Sequence, residues 1–218
     1  MDMQLGASIA KRGIRTGAEY LEGLCDGREV WIRGDRVEDV TSHPGLGRGA
    51  QTLASFLDRQ HDPKCQDKVT YVDNKGDRYA TSVLIPKSKE DIAQRGAAFY
   101  EWATWSNGMF GRTPDYKNAS VAAFAAAPGF LAQGTKGQAD FVANMQRFYD
   151  HIRTNDKVLT HTLVNPAVNH QIAASGNFSQ DVALHVVKET EDGPVVRGAR
   201  LLATLGPSAD EIEVFPST

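Results

Sequence analysis

The chain has 218 residues, 41% hydrophobic and 23% charged, with a formal net charge of −3. That is the balance of an ordinary globular protein, long enough for one large domain or two small ones. Several classes are excluded at once. No basic run forms a nucleic-acid footprint, and the longest apolar runs, such as Ala119 to Ala127, are too short to span a bilayer. Met1 to Ala10 lacks the basic region and apolar core of a secretory signal. Cys25 and Cys65 make neither a metal-ligand spacing nor a disulfide framework, so no metal is expected. A reduced, cytoplasmic location is the simplest expectation, and the sequon-like Asn118-Ala119-Ser120 then carries no meaning.

In chain order, Thr16-Gly17-Ala18-Glu19 fits a capping box and opens a short helix to about Leu24. Glu29 to Arg33 and Arg36 to Val40 read as a hairpin around a Gly34-Asp35 turn. His43-Pro44-Gly45 is a loop. Gln51 to Gln60 is a helix carrying Leu53, Phe56 and Leu57, ended by Pro63. A second hairpin is predicted from Val69 to Val72 and Tyr79 to Ile85. Ser88 to Asp91 starts a helix with Ile92, Ala93, Phe99, Trp102 and Ala103, stopping at Asn107-Gly108. Lys117 to Ala127 is a small-residue helix closed by Pro128-Gly129. Gln138 to Thr154 is another, with Phe141, Val142, Met145, Phe148 and Ile152 near one face.

The texture changes after Asn155. Val158 to Val164, Asp181 to Glu189, Val195 to Leu205 and Glu211 to Phe215 are strand-like, separated by turn residues. The sequence thus predicts an α+β protein, with a mainly helical domain over 1–155 carrying small hairpins and a β-domain over 156–218. Four strands would leave a long edge unpaired. A truncated β-domain is therefore expected, a short natural sheet covered by helices being the alternative.

Three segments could carry chemistry. Arg112-Thr113-Pro114-Asp115-Tyr116 makes a well-formed helix start: Thr113 is biased away from helix by the following proline, Pro114 suits the first turn, and Asp115 is favoured by the dipole. Alternatively, the rigid turn aims the Arg112 cation and the Tyr116 phenol into one pocket, where they meet an anionic oxygen and an aromatic ring. On the strand around His161, alternation puts His161 and Leu163 on one face and Thr160 and Thr162 on the other. His161 is either a structural histidine or a donor or base that titrates near neutrality. Arg197 and Arg200 fall on opposite faces of their predicted strand, and a solvated edge accounts for them. No nucleophile elbow or P-loop occurs, and Gly45 to Gly49 follows no strand suited to phosphate binding.

Taken together, these segments resemble the oxygenase components of the 4-hydroxyphenylacetate 3-monooxygenase family, with its chlorophenol and nitrophenol monooxygenase relatives. Six pieces match in order: Arg15 to Leu21; Asp26 to Ile32; Val37 to Thr41 with His43-Pro44; Gly111 to Ala119; His161 to Pro166; and Val196 to Leu205, continuing through Ala209-Asp210-Glu211 to Pro216-Ser217. The resemblance implies an acyl-CoA-dehydrogenase-like architecture: an N-terminal helical domain, here followed by an incomplete middle β-barrel, with the C-terminal helical bundle missing. It also implies a two-component reaction. A separate flavin reductase supplies FAD in its reduced form, FADH2. The oxygenase combines it with O2 into a C4a-hydroperoxide and hydroxylates a phenol ortho to its hydroxyl, as in aromatic hydrocarbon catabolism. Such chemistry needs a dry, shaped pocket, and the cofactor carries its hard step.

Residue by residue, the resemblance implies that Arg112, Tyr116 and His161 bind the phenolic substrate and act in catalysis, with Ser217 and Thr218 at its polar end. It implies flavin contacts from His161, Thr162, Leu163 and Thr204, and from Asn169 and His170. The last two lie in a departure: Ala167-Val168-Asn169-His170 stands where relatives commonly have Gln, an aliphatic residue, Asp or Asn, and Arg. A homotetramer is implied for a chain that includes the bundle, with neither nucleic acid nor membrane as partner. Two alternatives are an inactive fragment serving only as an association module, and a 4-hydroxybutyryl-CoA dehydratase-like relative. The latter's iron–sulfur cluster needs cysteine ligands, and neither Cys25 nor Cys65 lies near Arg112 to Tyr116 or His161 in the sequence.

Overall fold

A computed structural model describes residues 13–111, 113, 115–134, 138–166, 182–191 and 193–215. The chain divides into two compact units, one of Met1–Leu159 with Pro207–Asp210, the other of Thr160–Gly206 with Glu211–Thr218. Helices with small sheets make up the described residues, and every sheet among them has two strands. No helix among them is long and apolar enough to cross a membrane.

The first unit opens with α1 (Gly17–Gly23), whose capping box is formed: Thr16 Oγ1 accepts from Glu19 N, and Glu19 accepts from Thr16 N at 2.8 Å. Hairpin β1–β2 (Val30–Ile32 and Asp35–Val37) follows. Its turn is Arg33-Gly34, one residue earlier than the sequence predicts, because Ile32 pairs with Asp35. Both turn residues are left-handed, with φ of 56° and 94°, as a tight primed turn requires, and Gly34 takes the second place without a steric cost.

Helix α2 (Gly47–Arg59) starts four residues before the predicted position. Leu46 N and Gly47 N both donate to His43 O, so the preceding turn nucleates the helix directly. Its buried face then includes Ala50 besides Leu53, Ala54, Phe56 and Leu57. Two short helices went unpredicted, α3 (Gln66–Val69) and α6 (Pro128–Leu131). In α6, Pro128 takes the first turn, where its missing N–H costs nothing, rather than simply ending what precedes it.

Hairpin β3–β4 (Thr70–Val72 and Arg78–Ala80) ends early, since Thr81–Val83 turns into a buried 3-10 segment. Helix α4 (Lys89–Trp105) has the predicted start, with Ser88 and Asp91 forming a capping box. Only Ala98 and Trp102 of it are buried, and Ile92 faces solvent. Trp102 meets Phe56 edge-on at 5.4 Å in one apolar cluster with Val69 and Ala98. Helices α5 (Asp115–Ala126) and α7 (Gln138–Asn155) enclose a second cluster of Tyr79, Val83, Val121, Ala122, Ala125, Tyr149, Ile152 and Leu159.

Residues Pro207–Asp210 return to this unit and are fastened by polar contacts. Arg15 grips Asp210 with both terminal nitrogens, at 2.6 and 3.0 Å, while Tyr20 donates to Ser208 O at 2.6 Å. Arg28 donates to Pro207 O and Ala209 O, and Val158 N to Asp210 Oδ2. Beside them Asp156 accepts from Gln60 at 2.6 Å, and burial raises its carboxyl above the ordinary range against the pull of Arg15 and Gln60.

The second unit holds β5 (Leu159–Thr162) from Thr160 on, paired with β8 (Glu211–Val214), and β6 (His185–Thr190), paired antiparallel with β7 (Gly193–Arg197). The predicted strand from Val195 to Leu205 stops at Arg197. Gly198 has φ 108°, and a Cβ there would stand 2.3 Å from Ala183 O, so the chain bends away. Ala199 then bridges Ala183, and Leu201 bridges Val164.

Candidate active site

Tyr116 belongs to the first turn of α5, half-buried, with its N–H donating to Thr113 O at 2.9 Å. The turn is fixed from below. Asn118, 2% exposed, donates through Nδ2 to Lys157 O at 3.2 Å and to Ser82 Oγ at 3.4 Å. Asp115 is more than a solvated helix-start charge. Its Oδ1 is buried with no hydrogen-bond partner among the described residues. Burial raises its carboxyl above the ordinary value, against a hydrogen bond from Thr113 and the charge of Arg95. Arg112 lies outside the described residues, as do Asn169, His170, Ser217 and Thr218.

His161, Thr162, Leu163 and Thr204 are all in the second unit. The alternation expected along β5 is present. Thr160 and Thr162 are buried, and each donates its hydroxyl to the 201–204 segment: Thr160 to Thr204 O at 2.5 Å, Thr162 to Leu201 O. These two bonds draw Thr204 to the histidine strand. His161 is half-buried, and its ring meets Phe215 edge-on at 6.2 Å between centroids. Phe215 N donates to Thr162 O at 3.2 Å, continuing the β5–β8 ladder.

The segment that carries Thr204 is strained. Leu202 and Leu205 have φ of 65° and 61°, a region leucine rarely adopts and that costs on the order of 1 kcal/mol or more each. Leu202, Thr204 and Leu163 are exposed. Arg200 differs from its sequence-based expectation. It does not edge a solvated strand; its guanidinium donates to Asn165 Oδ1 and to Phe215 O, and its buried Nε has no partner among the described residues. Neither Arg200 nor Asn118 stands out in the sequence, because the groups that make them informative are 15 to 39 residues away.

A cleft of about 610 Å³ lies between hairpin β3–β4 and the end of α7. It holds none of the expected site residues. Its charges largely satisfy one another, with Arg153 3.7 Å from both Asp73 and Asp150 and its guanidinium 4.2 Å from the Tyr79 ring.

Comparison with known proteins defines the class. Residues 16–218 match the family model described as the N-terminal part of 4-hydroxyphenylacetate 3-hydroxylase, and the chain belongs to that family. The 4-hydroxyphenylacetate 3-monooxygenase oxygenase component of Thermus thermophilus is 43% identical over 205 residues, covering 94% of this chain and 41% of that protein. The corresponding Escherichia coli component is 36% identical over 191 residues, covering 87% and 35%. The chain thus spans about two fifths of the length of these relatives. Among solved structures, an oxygenase component of 4-hydroxyphenylacetate 3-monooxygenase complexed with FAD and 4-hydroxyphenylacetate superposes with a TM-score of 0.80 at 42% identity, over 94% of this chain and 41% of that one. An archaeal 4-hydroxybutyryl-CoA dehydratase is 18% identical with a TM-score of 0.65 over 86% of this chain and 37% of that one, a likeness of fold alone.

Proposed function

We propose that this chain supplies part of the oxygenase component of a two-component, flavin-dependent monooxygenase that hydroxylates a phenol ortho to its hydroxyl group. The observation that carries the proposal is the family match over 16–218, with Arg112, Tyr116 and His161 in the matched segments. In this reading, residues 1–155 form the helical domain and 156–218 part of the middle β-barrel of an acyl-CoA-dehydrogenase-like architecture. The working assembly is a cytoplasmic homotetramer fed with FADH2 by a separate reductase, with O2 as co-substrate.

The residues present fit a flavin. Leu163 and Leu202 offer exposed apolar side chains to a ring system, and Thr204 adds an exposed hydroxyl. His161, Thr162, Leu163 and Thr204, with Asn169 and His170, would hold the cofactor. Bound there, it would supply the activation of dioxygen.

The chain's own residues have the other tasks. Arg112, Tyr116 and His161 donate to the phenol oxygen, with Ser217 and Thr218 at the substrate's polar end. Donors aimed at that oxygen stabilise the phenolate, which makes the ortho carbon electron-rich and fixes which carbon faces the oxidant. Apolar walls keep water from the reacting atoms. The test is a fusion in which residues 16–218 replace the matching segment of the Thermus thermophilus oxygenase, given an NADH-driven flavin reductase and a panel of phenols. Catechol formation is expected. A folded fusion that binds FAD and converts no phenol would overturn the proposal.

A further inference from the structure

We infer that Arg200 is a positioning residue that sets the orientation of His161, an inference that rests on the proposed role of His161 facing substrate and flavin. The observations all lie in the second unit. Among the described residues the β5–β8 sheet has two strands, and a two-stranded sheet is marginal in water without help. Arg200 closes one end of it. One guanidinium nitrogen donates to Asn165 Oδ1, just beyond β5, and the other to Phe215 O, just beyond β8. One planar group thereby ties the outgoing ends of both strands, which an arginine fork does well and a lysine point charge cannot.

Phe215 carries the effect to the histidine. Its carbonyl is held by Arg200, its N–H donates to Thr162 O, and its ring meets the His161 ring at 88°. An edge-on aromatic contact fixes an imidazole plane only if the partner ring is itself fixed. Arg197, three residues earlier, is exposed at the end of β7 and makes a matched control. The other side of β5 is held separately by Thr160 and Thr162, so loss of the Arg200 clamp should free the Phe215 ring while the strand stays attached to residues 201–204.

The experiment uses the full 218-residue chain with isotope-labelled histidine and reads the His161 ring resonances by NMR, with thermal unfolding as a check on folding. Phe215→Leu first defines the ring-current shift that Phe215 imposes on His161. Arg200→Ala is expected to remove most of that shift and to change the His161 titration. Arg200→Lys, which can reach one strand end but not both, should restore only part of it, and Arg197→Ala should change nothing. Should the alanine variant fail to fold, Arg200→Lys carries the test alone. A folded Arg200 variant of either kind that keeps the wild-type His161 shift and titration would overturn the inference. No flavin or phenol is needed, so the outcomes separate. If His161 responds to Arg200 but the fusion never hydroxylates a phenol, the proposed function fails and the clamp stands; the opposite pattern removes the clamp alone.

Discussion

The two units are built on different principles. Every buried apolar residue among those described belongs to the first unit, from Tyr20 and Leu53 through Ile152 to Ala209. In the second unit the only fully buried residues among those described are Thr160 and Thr162, and Val186, Val196, Leu202 and Ile212 are exposed. The first unit is therefore stabilised by area removed from water, which is non-directional and tolerant of small shifts. The second, among the described residues, is held by backbone ladders and a few directional side-chain contacts: two threonine hydroxyls, one guanidinium fork and one aromatic edge. Directional contacts hold a site more sharply than an apolar core does, and they fail one at a time rather than together.

The largest expected effect probes the core. Phe56→Ala should cost roughly 3–5 kcal/mol, lowering the denaturant midpoint of the first unit as a whole, since Phe56 is 0% exposed and packs on Trp102. Thr160→Val keeps the shape but leaves Thr204 O without its donor, at a cost of about 1–3 kcal/mol. Its signature should be local: faster hydrogen exchange at Thr204 and Gly206, with the first unit's midpoint unmoved. If Thr160→Val unfolded both units together, the contrast between them would be wrong. The smallest effect has the opposite sign. Leu202→Gly relieves a left-handed φ at an exposed position and should gain up to about 1 kcal/mol, read as a small upward shift in the second unit's melting.

The same contrast explains what was legible in the sequence. Some signals that act within a few residues are legible, although the β1–β2 turn and the start of α2 show that others are not. Thr16 with Glu19 is a capping box, Ser88 to Asp91 starts a helix, and the alternation of Thr160, His161 and Thr162 follows from strand geometry. Least legible is whatever a distant group decides. Val195 to Leu205 looks like one strand because its residues are β-prone, yet the approach of Gly198 to Ala183 O ends it at Arg197. The return of Pro207–Asp210 to the helical unit depends on Arg15, Tyr20 and Arg28, nearly the whole chain away. Ile92 has the spacing of an inward residue on α4 and still points to solvent, in neither the Phe56–Trp102 cluster nor the Tyr79–Ile152 one. The family was legible because its motifs keep their order, although a single motif such as Arg112 to Tyr116 suits an ordinary helix start equally well.

The most direct test is His161→Ala in the fusion with the Thermus thermophilus oxygenase. At saturating FAD, catechol formation should fall by about 10²-fold or more, with the fold kept and FAD held by the remaining contacts at Thr162, Leu163 and Thr204. A variant that folds, binds FAD and hydroxylates its phenol at the unsubstituted rate would contradict the assignment of His161 to the reacting site.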